Sequence, residues 1–161
     1  MTTADWEKRV SAAWARVSAL SDDEALKLVD ALVAERSETD AAAAFEAASV
    51  RDYLGLESEA EPHYRRALEL GLDPARHPRA VIQLAETLRT LGEFEQSIHL
   101  LTGWLADHDD HPLAGSARAF LALALTSAGR PVEAVAVTLE ALAPLLPQYG
   151  SSVAAHARGL G

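Results

Sequence analysis

The sequence predicts an all-α fold, an α-solenoid of stacked antiparallel helix pairs with an N-terminal helix pair before the repeats and a capping helix after them. Three observations carry this. Apolar residues recur at i, i+3, i+4 and i+7 almost throughout, and no run alternates β-branched residues as a strand would. A glycine returns with a spacing of 37 residues, at Gly55, Gly92 and Gly129. Five residues after each stands a small residue, Ala60, Ser97 and Ala134. Each glycine lies between two apolar helical segments, where it can supply the left-handed turn that ends the first, and the small residue lets the second pack closely on it. A pair of this length cannot bury its apolar face alone, so neighbouring pairs must stack.

The elements follow in order. A helix over 3–19 carries Trp6, Val10, Trp14 and Val17 on one face, and Leu20 and Ser21 mark a turn. Ser21-Asp-Asp-Glu24 is a capping box opening a second helix over 22–35. Helices over 38–54 and 57–71 flank Gly55, those over 78–91 and 93–107 flank Gly92, and those over 112–128 and 131–143 flank Gly129. Pro78, Pro112 and Pro131 can each occupy the first turn of a helix, where a missing N–H costs nothing. Pro62 is expected at the end of its helix's first turn. Pro144 and Pro147 break the apolar stretch before a last helix over 147–158. The predicted organisation is one domain: a helix pair in 1–40, repeats in 41–74, 78–109 and 112–143, and a cap in 144–161.

Composition bounds the function. The chain has 161 residues, no cysteine and a formal net charge of −10. Without cysteine there is no disulfide scaffold, thiolate metal site or thiol nucleophile. An acidic balance argues against nucleic acid and against an anionic membrane surface, since both demand basic surface. The longest apolar runs are too short to span a bilayer, and no basic-then-apolar leader opens the sequence, so a cytoplasmic location is expected. The charge is regional: residues 21–61 hold 12 acidic and 3 basic side chains, and the rest 12 and 11. A solvated helix face is the simplest account of the acidic region, and a docking surface for a basic partner is the alternative.

The three units resemble the tetratricopeptide repeat. In the first, Gly55, Ala60, Tyr64, Ala67 and Leu68, with Asp73-Pro74 after them, match the family's second helix. The second has Leu84-Ala85, Leu88, Gly92, Phe94, Ser97 and Ile98, and the third Leu121-Ala122, Leu125, Gly129, Ala134, Ala141 and Leu142. The departures are the 37-residue spacing against the usual 34, Trp104 where the family prefers a small residue, and Thr138 in place of an aromatic one. The resemblance implies a protein–protein interaction or scaffold module that binds a peptide or protein segment on the concave surface of its first helices.

That surface would present Phe45, Ser49, Asp52 and Tyr53 from the first repeat. The second would add Arg79, Ile82, Gln83, Glu86 and Arg89, and the third Ala119, Leu123 and Thr126. For Phe45 and Leu123 a place in the core is an equal alternative. The favoured ligand-binding set is Asp52, Tyr53, Arg79, Ile82, Gln83, Glu86, Arg89 and Thr126. Arg79 and Arg89 would pair acidic groups of the segment, and Ile82 and Tyr53 would make apolar contact. The family's terminal-carboxylate clamp fits poorly, because both arginines come from one helix.

Other chemistry is thinner. Asp107-His108-Asp109-Asp110-His111 offers nitrogen and oxygen ligands, but nothing in sequence completes or orients a set, so no metal site is expected. Glu59/His63 and Glu95/His99 have i,i+4 spacing and are expected as solvated ion pairs. No G-x-S-x-G, H-E-x-x-H, Walker or dinucleotide fingerprint is present, so the chain is not expected to be an enzyme and no cofactor is expected. The alternative functions are a self-associating homodimer, with Trp6 and Trp14 at one end and Leu145, Leu146 and Tyr149 at the other offering apolar surface, and a metal-dependent enzyme or sensor using the Asp107–His111 loop.

Overall fold

The computed structural model describes residues 2–160. Nine α-helices and one 3-10 turn make up the described residues, with no strand among them. They are α1 (Thr3–Val17), α2 (Asp22–Val33), α3 (Ala41–Tyr53), α4 (Glu57–Leu70), α5 (His77–Thr90), α6 (Phe94–Asp107), α7 (Ala114–Ser127), α8 (Pro131–Leu142), the 3-10 turn Ala143–Leu145 and α9 (Gly150–Arg158). The chain divides after Gln83, within α5, into two compact units. No described helix is long and apolar enough to cross a membrane.

The 37-residue register is written into the backbone. Gly55, Gly92 and Gly129 all have positive φ, at 72°, 85° and 76°. At each, the glycine N–H donates to the carbonyl three residues back (Asp52 at 3.0 Å, Arg89 at 3.1 Å, Thr126 at 3.1 Å). The next residue's N–H reaches five residues back, Leu56 to Arg51, Glu93 to Leu88 and Arg130 to Leu125, each at 2.8 Å. This pair of bonds is the Schellman closure, which satisfies orphan carbonyls at a helix C-terminus. The small residues follow suit. Ala60, Ser97 and Ala134 are buried, and the Ser97 hydroxyl donates to the Ala85 carbonyl at 2.6 Å, tying α6 to α5.

In residues 2–83 the core is layered between consecutive helices. Trp6, Val10, Ala13, Leu32 and Ala43 form one buried cluster, and Val17, Ala25, Val29 and Val50 another. The Trp6 indole N–H donates to the Leu32 carbonyl at 2.8 Å, and the Arg36 guanidinium lies over its ring at 5.1 Å. The N-terminal end therefore does not offer the apolar surface that two tryptophans suggest, because Trp6 is fully buried and Trp14 partly so. In residues 84–160, Leu101, Ala117, Leu121, Ala124 and Leu125 fill the interior where α6, α7 and α8 pack in sequence.

Boundaries moved where side chains cap. The third helix starts at Ala41 rather than near residue 38, because the Asp40 carboxylate accepts from the Ala43 N–H at 3.0 Å and Ser37 to Asp40 close a turn. Ser21 and Glu24 form the expected capping box, and Pro131 opens α8. Pro112 instead precedes α7 by two residues, and Pro62 lies in the second turn of α4, where the Ser58 carbonyl forgoes a backbone partner.

Candidate functional site

In residues 2–83, α1, α3 and the start of α5 enclose a groove of about 550 Å³. Its walls are Val10, Ser11 and Trp14 from α1, Ser49, Asp52 and Tyr53 from α3, and Arg76, Arg79 and Gln83 from the third side, with Glu7 and Glu46 beneath. A volume of that order suits a small molecule or a few side chains of a peptide. α1, which precedes the repeats, supplies a full wall.

The groove floor is a charge network that runs from the buried Glu46 out to partly exposed partners. Arg76 pairs with Glu7, with Asp73 at 2.8 Å and with Glu46 at 3.6 Å. Burial alone would lower the Arg76 pKa, but the Asp73 and Glu7 carboxylates hold it above its usual value. Glu46 is buried and accepts from the Trp14 indole N–H at 2.7 Å. Burial pushes its carboxyl above the usual range, and the Trp14 bond with the charges of Arg76 and Arg79 only partly offsets this. The Tyr64 phenol donates to Asp52 at 3.0 Å, and burial with the Asp52 charge raises its pKa. The neighbouring Ser49 hydroxyl is buried against the Tyr64 phenol and opposes part of that rise.

Above this floor the open groups are an aromatic ring and a cation. Tyr53 is 56% exposed and meets the Trp14 ring edge-on at 6.1 Å. Arg79 is exposed, with its guanidinium 5.3 Å from the centroid of the buried Phe45 ring. Of the predicted set, Asp52, Tyr53, Arg79 and Gln83 therefore share one groove. Ile82 does not join it, since its side chain is buried in the core, and Phe45 takes the core alternative.

The remaining members lie in the second unit. Arg89 is engaged by the carboxylate of Glu86 and reaches Ser127 at 3.4 Å, so these groups are held by one another. The Thr126 hydroxyl donates back to the Ala122 carbonyl at 2.8 Å within its own helix. Leu123 is exposed. Sequence reasoning missed Trp14, Arg76, Glu7 and Glu46. The signal available was an apolar helix face interrupted by a glutamate at 46, whose partners stand 32 and 30 residues away.

The His/Asp loop has a structural job. His108 stacks flat on the buried Trp104 ring at 4.7 Å, its Nδ1 2.9 Å from the Trp104 carbonyl, and His111 meets the same ring edge-on at 5.2 Å. His111 Nδ1 accepts from the Leu113 N–H, and Asp109 pairs with Arg118. The large Trp104 thus fills the space beneath the α6–α7 connection. Among the described residues no three His, Asp or Glu side chains gather as a metal-binding group. The glutamates of the expected Glu–His pairs also approach arginines, Glu59 lying 3.6 Å from Arg51 and Glu95 3.5 Å from Arg130. Desolvation and the Arg51 charge lower the His63 pKa, and the charges of Asp30 and Glu59 only partly offset them. The acidic stretch of the sequence is likewise threaded with arginine pairs, Asp30 with Arg51, Glu35 with Arg9 and Asp40 with Arg36.

Comparison with known proteins agrees with this architecture. The chain is similar to a Podosopora anserina protein of nearly identical TPR-like repeats, described as a kinesin light chain, at 18% identity and a TM-score of 0.73 over 96% of this chain and 85% of that one. A point variant of that protein gives 15% and 0.68 over 96% and 93%. A double mutant of MamA from RS-1 gives 15% and 0.65 over 96% and 91%. These likenesses establish the fold alone. No curated protein matches the chain. The family model of the tetratrico peptide repeat matches residues 41–160, and with three equivalent Gly turns in that span the chain belongs to the tetratrico peptide repeat family.

Proposed function

We propose that the chain is a non-enzymatic interaction module that holds a short segment of a partner protein in the groove between α1, α3 and the start of α5. Repeats of this family generally serve as protein-interaction scaffolds. The observation that carries the reading for this chain is the groove itself, where the exposed Tyr53 ring and the Arg79 guanidinium stand over a floor whose other charges are already paired. The segment that fits presents an apolar or aromatic side chain to Tyr53 and Trp14 and a carboxylate to Arg79.

The test is capture of partners from native cells by the wild-type chain and by a Tyr53→Ala/Arg79→Glu variant of unchanged helicity. Reversing a charge in a partly desolvated contact costs a few kcal/mol, on the order of 2–5, so the variant is expected to lose the partner. Equal recovery would move the binding site out of this groove. A second reading, self-association, is favoured by exposed apolar side chains of the C-terminal segment.

A further inference from the structure

The charged groups lining the groove are engaged with one another, with one exception. Arg76 is shared among Glu7, Asp73 and Glu46. Asp52 accepts from the Tyr64 phenol, and Glu46 accepts from the Trp14 indole. Arg79 is the exception. Its guanidinium rests on the Phe45 ring at 5.3 Å, and among the described residues no carboxylate pairs with it. An exposed planar fork of N–H donors, steadied by a ring beneath it and without an acceptor, fits an anion.

Glu46 is the group that responds to such an anion. It is 5% exposed, it follows Phe45 in the chain, and it lines the same groove as Arg79. Burial and the Glu7 charge oppose its ionised form, while the Trp14 N–H and the charges of Arg76 and Arg79 favour it. An anion seated on Arg79 cancels one of the favourable charges and adds a repulsive one, where water screens little. Protonated Glu46 still accepts from the Trp14 indole through its carbonyl oxygen, so that wall of the groove stays in place.

From these observations we infer that an anionic group bound to Arg79 brings a proton onto Glu46, so that the groove takes up its segment together with a proton and holds it more tightly as pH falls. The inference rests on the groove reading above and adds its regulation. Linkage makes the effect reciprocal, since an anion that favours the proton is itself favoured by the proton. The other titratable groups around Glu46 are committed elsewhere. From α1 and the start of α5, Glu7 and Asp73 hold Arg76, and on α3 itself Asp52 holds the Tyr64 phenol of α4. From α2, Asp30 pairs with Arg51. His63 of α4 stands among the charges of Arg51, Asp30 and Glu59, and His77 is not one of the lining residues.

The test titrates N-acetylphenylalanine, an aromatic ring with one carboxylate, into the full chain and reads tryptophan fluorescence, with the uncharged amide of the same compound as control. Affinity for the acid is expected to fall at least ~3-fold between about pH 5 and about pH 8, and affinity for the amide to stay flat. Glu46→Gln should bind the acid with an affinity that no longer depends on pH. A slope that persists in this variant would place the proton on another group and overturn the inference. Calorimetry of the wild-type chain in two buffers of different ionisation heat should show net proton uptake on binding, and its absence would overturn the inference without any variant. Arg79→Gln separates this failure from that of the groove reading. If the acid binds this variant as well as it binds wild type, or binds neither, the groove reading itself falls. Binding that needs Arg79 but is indifferent to pH overturns the proton linkage alone.

Discussion

The indole N–H of Trp14 donates to a carboxylate oxygen of Glu46 at 2.7 Å, joining α1 to α3 beneath the groove. That contact makes a polar bond where the sequence pattern reads core, and it sets a titration. Burial raises the Glu46 pKa above its unfolded value. A raised carboxyl stabilises the folded state while protonated, so its contribution is full below about pH 4.5 and is lost as pH rises through the folded pKa. Glu46→Gln keeps an acceptor for Trp14 without the charge. The variant should match wild type near pH 4 and melt higher at pH 7. A variant less stable than wild type at pH 7 would show that ionised Glu46 is a net benefit to the fold.

Asp40 works with the opposite sign. Burial opposes its ionisation, yet the Ala43 amide and Arg36 together hold the carboxyl below its usual value. Its contribution is present above its unfolded pKa of about 3.9 and is lost as pH falls through the lower folded one. Asp40→Ala removes the N-cap of α3 and should cost about 1–2 kcal/mol at pH 7, less as the solution is acidified toward pH 2. Urea unfolding at the two pH values measures the difference, and a pH-independent loss would refute the charged cap.

Glycine replacements separate two causes. A Cβ added at Gly55, Gly92 or Gly129 meets nothing within 4 Å, so only the backbone conformation resists. Each change to Ala should cost roughly 1–2 kcal/mol, with little difference between the three sites. Gly150 is the reverse case, since a Cβ there would stand 2.4 Å from the Ala143 carbonyl oxygen. Gly150→Ala must displace α9 from the 3-10 turn and should cost about 1–3 kcal/mol. Differential scanning calorimetry of the four variants checks both, and a neutral Gly92→Ala would detach the repeat turn from its glycine.

The helix pairs were legible because local and repeated signals coincide: apolar spacing, a capping box at Ser21 and glycines in fixed register. These act within about 37 residues and need no knowledge of neighbours. The groove was legible only in part. Tyr53, Asp52, Arg79 and Gln83 follow from their places on α3 and α5, but the wall from α1 does not, because it lies outside the repeat pattern. The Arg76–Glu7 pair joins residues 69 apart, a distance across which charge pattern alone names no partner. Ile82 shows the converse failure, because helical register fixes a face but not its depth and burial took it. The Glu86–Arg89 contact, by comparison, lies three residues apart on one helix and is legible from spacing alone.

Ser97 tests why the repeats need a small residue five places after the glycine. It is buried and shares its position with Ala60 and Ala134, but adds a hydroxyl that donates to the Ala85 carbonyl at 2.6 Å. Ser97→Ala makes the three repeats alike in size and removes one bond, so it should cost about 0.5–1.5 kcal/mol. Ser97→Leu keeps the helix propensity but forces volume between α5 and α6, and should cost more, about 1–3 kcal/mol for the overpacking added to the lost bond. The order of the two losses is the measurement, read from urea midpoints at constant m-value. If Leu proves no worse than Ala, the close approach of α6 to α5 does not depend on residue size at this position, and the hydroxyl bond alone fixes the pair.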